Sequence, residues 1–462
     1  MIFGSEVLNV YSTIGGGYQN IIQTNAVNST IGGGTNNTIQ ANATDSTIGG
    51  GYQNAVQALA SYATIGGGAN NTNGSLFATV AGGGGNSIGT NSTSDVIGGG
   101  FGHNIGNNTF DGTIGGGSFN ASGTNSYYAT IAGGHVNAIQ DNGTASTIGG
   151  GRANTIQTNA NDSVIGGGTN NTIMAGSLSA TIGGGNSNLI GNNATNSTIA
   201  GGDGNAVFSG QYSTVGGGQE NSIAGPYATV GGGFDNGSLG LDATVAGGVA
   251  NTSSGVAATV PGGQGNTAQG NYSFAAGFQA KAQKDGTFVW ADTNPHAFDP
   301  FALSGPQGLA NSFNARATAG FYFVTAVDVS GNITAGVQVP GGGGSWSSLS
   351  DRNAKTNFLA VNAREVLEKL AQIPVETWNY KAQAASIRHI GPMAQDFAAA
   401  FGVGEDEKHI TTVDADGVAL AAIQGLNQKV ETDNAELRAE NAELKQRLEK
   451  LERLVERQTA SR

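Results

Sequence analysis

Ser350 is followed at once by Asp351 and, five residues on, by Lys355, inside the run S-W-S-S-L-S-D-R-N-A-K-T-N-F from Ser345 to Phe358. A serine hydroxyl becomes a nucleophile when a neighbouring base takes its proton, and a lysine serves as that base if burial keeps its amine neutral. That requires a fall of roughly 2–3 units from an amine pKa of about 10.4, which desolvation supplies at about 1.4 kcal/mol per unit. The chemistry open to the pair is attack of a serine on a peptide bond, with Ser350 as nucleophile and Lys355 as base. On spacing alone most such pairs are solvated loop residues, so support has to come from the rest of the chain.

Three runs supply it in order: S-D-R-N-A-K at Ser350 to Lys355, R-H-I-G-P-M-A-Q-D-F at Arg388 to Phe397, and D-A-D-G-V-A-L-A-A-I-Q at Asp414 to Gln424. Together they resemble the peptidase S74 family, the C-terminal intramolecular chaperone domains of phage tail spikes, neck appendages and related bacterial surface fibres. The resemblance covers Ser347 to Leu426. It implies a domain that assists trimerisation of the fibre ahead of it and then cuts itself off with a Ser-Lys dyad at the Ser-Asp motif. Carried over, Ser350 is the nucleophile, Lys355 the base, and the scissile bond flanks Ser350 on a side that spacing leaves open. Asp351 is either needed for the cut or holds the turn. The reaction is single-turnover and needs no cofactor.

The elements that must position the dyad are ordinary helix and strand signals. Asn362 and Glu365 are spaced as a capping box, opening a helix to Gln372 that Pro374 ends. Val375 to Tyr380 reads as a strand, Pro392 as the first residue of a second helix, and Asp414 to Gly417 as a turn before the last. That last helix continues as a coiled coil over 427–457, with Ile423, Val430, Leu437, Leu444 and Leu451 at d and Asn427, Asn434, Asn441, Leu448 and Val455 at a. Asn at a often favours two strands, against the three expected here. On the amino side, Gly341 to Gly344 reads as a hinge or cut site.

The rest of the chain is a repeat. The phrase [SA]-T-[IV]-G-G-G recurs with its apolar member at Ile14, Ile31, Ile48, Ile65, Val80, Ile97 and on to Val260, stepping mostly by 17 residues and by 15 in the last coils. Such spacing predicts a β-solenoid adding about 4.8 Å per coil. Ile or Val forms an inward rib shared by the Ser or Ala two places earlier, and the intervening Thr faces out. Six residues after each apolar position stands Asn, from Asn20 to Asn266, except for His103; a recurring amide stacks into a ladder or occupies a left-handed turn. One aliphatic per coil buries little against the entropy of ordering the coil, which predicts an obligate oligomer. The repeats resemble the head modules of trimeric autotransporter adhesins, most closely in Y-S-F-A-A-G-F-Q-A-K-A at Tyr272 to Ala282, although those are usually shorter; a single-chain β-helix is the alternative for the early coils. Gly286 to Asp292 and Phe321 to Val329 read as strands of a compact neck, with Trp290, Phe321 and Phe323 in its core.

The fold class expected is mainly β: a trimeric solenoid head over 1–270, a last head-like repeat with neck and glycine linker over 271–345, a small α+β chaperone domain over 346–426, then the coiled coil. Composition excludes other classes. Gly at 79 with Pro at only 8 and no Gly-X-Y period is not collagen. The net charge of −13 disfavours nucleic acid. Cysteine is absent, and the five histidines lack the spacing of a metal site. No G-K-[ST] follows any I-G-G-G run, so none is a phosphate loop. The column Thr13, Thr30, Thr47, Thr64 and Thr79 is one residue wide and reads as strand-fitting threonine rather than an ice-binding face. No secretory signal or membrane span is visible, so a virion fibre or a bacterial surface protein is expected, with a host surface or glycan as the receptor of its head; an uncut fibre with a permanent trimerisation clamp is the alternative, and a carbohydrate-active rod a further one that the sparse acids do not favour.

Overall fold

A computed structural model of the chain describes residues 2–302 and 309–460; residues 303–308 of the expected neck lie outside the described residues. The chain divides into two compact units, Met1–Thr318 and Ala319–Arg462.

In the first unit each [SA]-T-[IV] tripeptide ends in a two-residue strand. Thr13–Ile14 pairs in parallel with Thr30–Ile31, and that strand with Thr47–Ile48, so equivalent residues stack in register as far as Thr259–Val260. The aliphatic members are buried throughout, and Ser29, Ser46, Ala63 and Ala78 share the interior. A second ladder runs eight residues further along each coil: Ile22, Ile39, Val56, Ile88 and Ile105 are fully buried, on strands paired from Ile21–Ile22 through Thr38–Ile39 to Lys281–Ala282. A third is a row of single bridges from Tyr18 through Thr35 and Tyr52 to Gln264.

Most coils therefore bury two large aliphatics, not one. This corrects the expectation of one buried aliphatic per coil. The second rib is harder to see because Asn73, Ser122, Ser238 and Ser253 interrupt its aliphatics. Each added buried Ile contributes roughly 1.5–3 kcal/mol, and the parallel ladders close within one chain.

The Asn column is the hydrogen-bonded ladder of the two expected alternatives. Asn37 Nδ2 donates to the carbonyls of Gly33 (3.0 Å) and Gly51 (2.9 Å), and its Oδ1 accepts the Asn54 backbone N–H at 3.0 Å. A fully buried amide thus has its donors and acceptor paired. The left-handed turn falls one residue earlier, at Gln19 and Asn36. A 17-residue coil has non-glycine left-handed corners at Gln19, Asn25 and Asn28, whereas the 15-residue coil after Val215 has only Glu220 and Tyr227. Shortening deletes one corner and leaves the ladders intact. The last glycine of each triplet cannot be replaced: Gly34 has φ +94°, and a Cβ on it would lie 2.1 Å from the Gly51 carbonyl oxygen.

One coil departs from the pattern. His103 takes the ladder position, its N–H on Asn86 Oδ1 at 3.0 Å and its Nδ1 accepting the Asn120 N–H at 3.2 Å, while Nε2 is buried without a partner. Burial pushes its imidazole pKa down. Asp95 fills the inward Ser/Ala column, accepting the Gly112 N–H at 2.7 Å, and desolvation pushes its carboxyl pKa up.

The first ladder continues through Phe274–Phe278, Phe288–Ala291 and Phe313–Arg316, stacking Phe274, Phe288 and Phe313 with centroids 4.7 and 4.5 Å apart. Beside this stack, Arg316 pairs with Asp292 at 2.8 Å. Trp290 is therefore not neck core: Val289 and Ala291 face inward on this rung, and alternation leaves Trp290 38% exposed.

In the second unit Gly320–Val327 pairs antiparallel with Ile333–Pro340, whose strand also pairs with Ser347–Ser348. Phe321 is half-buried and Phe323 is 54% exposed, so this sheet has no core of its own for them to fill. Gly341 to Gly344 makes the turn between the second and third strands, Gly343 N–H donating to the Pro340 carbonyl at 2.9 Å. Helix α1 (Ala363–Leu370) is capped by Asn362, whose side chain accepts the Glu365 N–H. Glu376–Trp378 pairs with His389–Gly391. Helix α2 (Ala394–Phe401) starts after Pro392, with Met393 at its cap, later than the proline suggested. Helix α3 (Thr412–Thr459) absorbs the turn expected at Asp414 to Gly417: Thr411 Oγ1 accepts the Asp414 N–H at 3.1 Å, and an acidic residue in a first turn is favoured by the helix dipole. Helix α1 packs on α3 at Gly425, where a Cβ would lie 2.1 Å from the Ala363 carbonyl oxygen. The heptad residues Val430, Leu437, Leu444, Leu448 and Leu451 are 47–58% exposed. Among the described residues no helix is long and apolar enough to cross a membrane.

Candidate active site: a serine–lysine pair

Ser350 leaves the third strand of the small sheet, where the Leu349 N–H donates to the Gly336 carbonyl at 3.1 Å. The chain then bends through a short 3-10 helix, Arg352–Ala354, capped by Asp351, whose Oδ1 accepts the Asn353 N–H at 2.9 Å. The Lys355 N–H closes the turn on the Arg352 carbonyl at 3.2 Å. This bend returns Lys355 to Ser350, with Nζ and Oγ 2.7 Å apart. The two residues singled out by chemistry are thus in hydrogen-bond reach, and Asp351 holds the turn between them.

The direction that activates the serine is Ser350 donating its hydroxyl proton to a neutral Lys355 amine, which alone has a lone pair to accept it. Desolvation is what would favour that neutral form. In the single chain Ser350, Asp351 and Lys355 are all exposed. Two features escaped the sequence reading. A hollow of about 220 Å³, lined by Tyr322, Val324, Ile333, Val337, Leu349 and Ser350, opens beside the Ser350 side chain. The Arg352 guanidinium lies over the Phe358 ring at 4.7 Å, fixing the far side of the turn. The hollow is built from three consecutive antiparallel strands between Gly320 and Ser348, whose register no local motif announces. Among the described residues no group of three or more His, Cys, Asp or Glu gathers as a metal site would.

Residues 350–403 match the Peptidase_S74 family, described as chaperone of endosialidase. The match begins at Ser350 and takes in the second motif, Arg388 to Phe397, but not the third, Asp414 to Gln424. The chain matches no curated protein. The likeness of the repeats to trimeric autotransporter heads gains no support; what precedes the domain is a parallel β-solenoid whose ladders close within one chain.

Proposed function

We propose that the chain is a fibre protein of a phage tail or bacterial surface, assembled as a homotrimer by its C-terminal domain, which then releases itself by cutting beside Ser350. The observation that carries this reading is the 2.7 Å contact between Lys355 Nζ and Ser350 Oγ at the first residue of the matched domain. In the cut, Ser350 Oγ bonds to the carbonyl carbon of a flanking peptide and its proton passes to Lys355 Nζ. The C–N bond breaks as that proton moves to the departing amine, and water hydrolyses the ester left on the serine. Exposure of the dyad in a single chain fits a reaction that waits for assembly: neighbouring subunits would cover Ser350 and Lys355 and exclude water from them.

Trimerisation rests on the exposed heptads of α3 and the uncovered apolar sheet rather than on the solenoid. Gathering three chain ends first shortens a slow search among parallel pairings, and cutting afterwards removes the way back. The solenoid would be the part that meets a host surface or glycan. The same exposure of Lys355 favours a second reading, an uncut fibre held by a permanent clamp. A denaturing gel separates them: wild type should give a head fragment ending near Ser350, and Ser350→Ala a full-length band. An intact wild-type band from assembled protein would leave only the clamp.

A further inference from the structure

Among residues 1–280 there is a single Lys or Arg, Arg152, and it stands exposed. The row of single bridges puts it beside three particular neighbours: Phe101 bridges to Ser118, Ser118 to His135, and His135 to Arg152. Phe119, next to Ser118, is 50% exposed and meets Phe101 edge to face with centroids 5.3 Å apart; it meets His135 in the same way at 6.1 Å. Ser118 Oγ lies 2.9 Å from His135 Nδ1, holding the ring by that nitrogen and leaving Nε2 for a partner. Among the described residues the Arg152 guanidinium has no ion-pair partner, and the adjoining rungs carry Thr169 and Asn170 rather than an acid. Aromatic faces, a ring nitrogen and a free guanidinium thus line one edge over three steps, about 14 Å at about 4.8 Å per coil.

We infer that this edge, from Phe101 through Phe119 and His135 to Arg152, binds a carboxylate-bearing oligosaccharide. The exposed Phe101 and Phe119 rings each offer an apolar face on which the C–H face of a sugar ring packs, and an unpaired guanidinium takes a carboxylate through two parallel N–H donors. Charge fixes the class of ligand. Within residues 1–280, otherwise acidic or neutral, this is the one place where a carboxylate finds a Lys or Arg, whereas a neutral glycan gains nothing from Arg152. The other exposed ring pairs of the solenoid, Tyr62 with Phe77 and Tyr212 with Tyr227, stack at 4.8 and 5.1 Å with no Lys or Arg on neighbouring coils. The inference rests on reading the solenoid as the receptor-facing part of the fibre.

Calorimetric titration of the full-length Ser350→Ala protein with oligogalacturonate, oligosialate and a neutral maltooligosaccharide of matching length tests it. At least one acidic oligomer should bind, Arg152→Ala should weaken it about tenfold or more, Phe119→Ala should weaken it comparably, and Tyr227→Ala should not. Alanine is already housed at both kinds of position, at Ala69 in the row of Arg152 and at Ala153, which shares the left-handed corner of Phe119 with φ 54°. Absence of binding to either acidic oligomer at millimolar concentration, or equal binding by Arg152→Ala, would overturn the inference. Because cutting is read on the wild-type gel and binding on the uncuttable variant, each can fail without the other.

Discussion

The two halves of this molecule solve the problem of buried surface in opposite ways. The solenoid satisfies itself: two aliphatic ribs, an amide ladder and a glycine-lined corner repeat until their groups are paired within one chain. The C-terminal unit does not, for its three-stranded sheet shows Tyr322, Phe323 and Trp346 to solvent and its longest helix shows its heptad leucines. Glycine and asparagine, poor in ordinary strands, serve the first because the coil needs left-handed corners and close backbone approach. Leucine and phenylalanine, normally a core, lie exposed in the second.

Separating the halves gives the largest expected effect. Residues 1–318 should fold as a monomer whose melting temperature does not depend on concentration, and residues 319–462 should melt at a temperature that rises with concentration; the reverse pattern would break the contrast. Leu444→Asp should come next, turning the assembled full chain toward monomer in sedimentation, with no change in the β-sheet signal of the solenoid. Within the solenoid, Asn154→Ala removes bonds to Gly150 and Gly168 and the acceptor of Asn171. It should cost about 2–4 kcal/mol in denaturant titrations, against under about 0.5 kcal/mol for the outward Thr147→Ala.

The smallest effects depend on pH and come from the one irregular coil. His103 has a folded-state pKa below its ordinary value of 6.5, so stability is lost as pH falls through that value, because the unfolded chain takes up the proton first. His103→Asn should restore the ladder and flatten the melting temperature between neutral and mildly acid pH. Asp95 has a folded pKa above its ordinary 3.8, so its cost is fully present at neutral pH and fades as pH drops through the raised value. Asp95→Ser, the residue that Ser46 and Ser146 place in the same column, should raise the melting temperature at neutral pH and give no gain below the ordinary carboxylate range.

Much of the fold was legible because it repeats. The first rib, the outward threonines and the amide column are each a single residue type at a fixed step, and one coil interprets all the others. The second rib was not legible, since Ile22 and Ile39 share their column with Asn73, Ser122 and Ser253, and a mixed column looks like noise until the coil is closed. Trp290 and Phe323 misled because size and β-propensity say nothing about which face of a strand is covered. At the site, Ser350 and Lys355 were readable from chemistry and motif together, while the bend that unites them depends on an Asp351 cap that sequence left undecided between turn and cut. The hollow beside Ser350 depends on the register of three consecutive antiparallel strands, and that register had no sequence signal.

Intact mass measured on sized, assembled protein tests the central claim most directly. The account predicts two fragments meeting at a bond beside Ser350 in wild type, and an unbroken chain in Ser350→Ala and Lys355→Ala. An unbroken wild-type chain in a stable assembly, or the same two fragments from the Ser350→Ala protein, would contradict it.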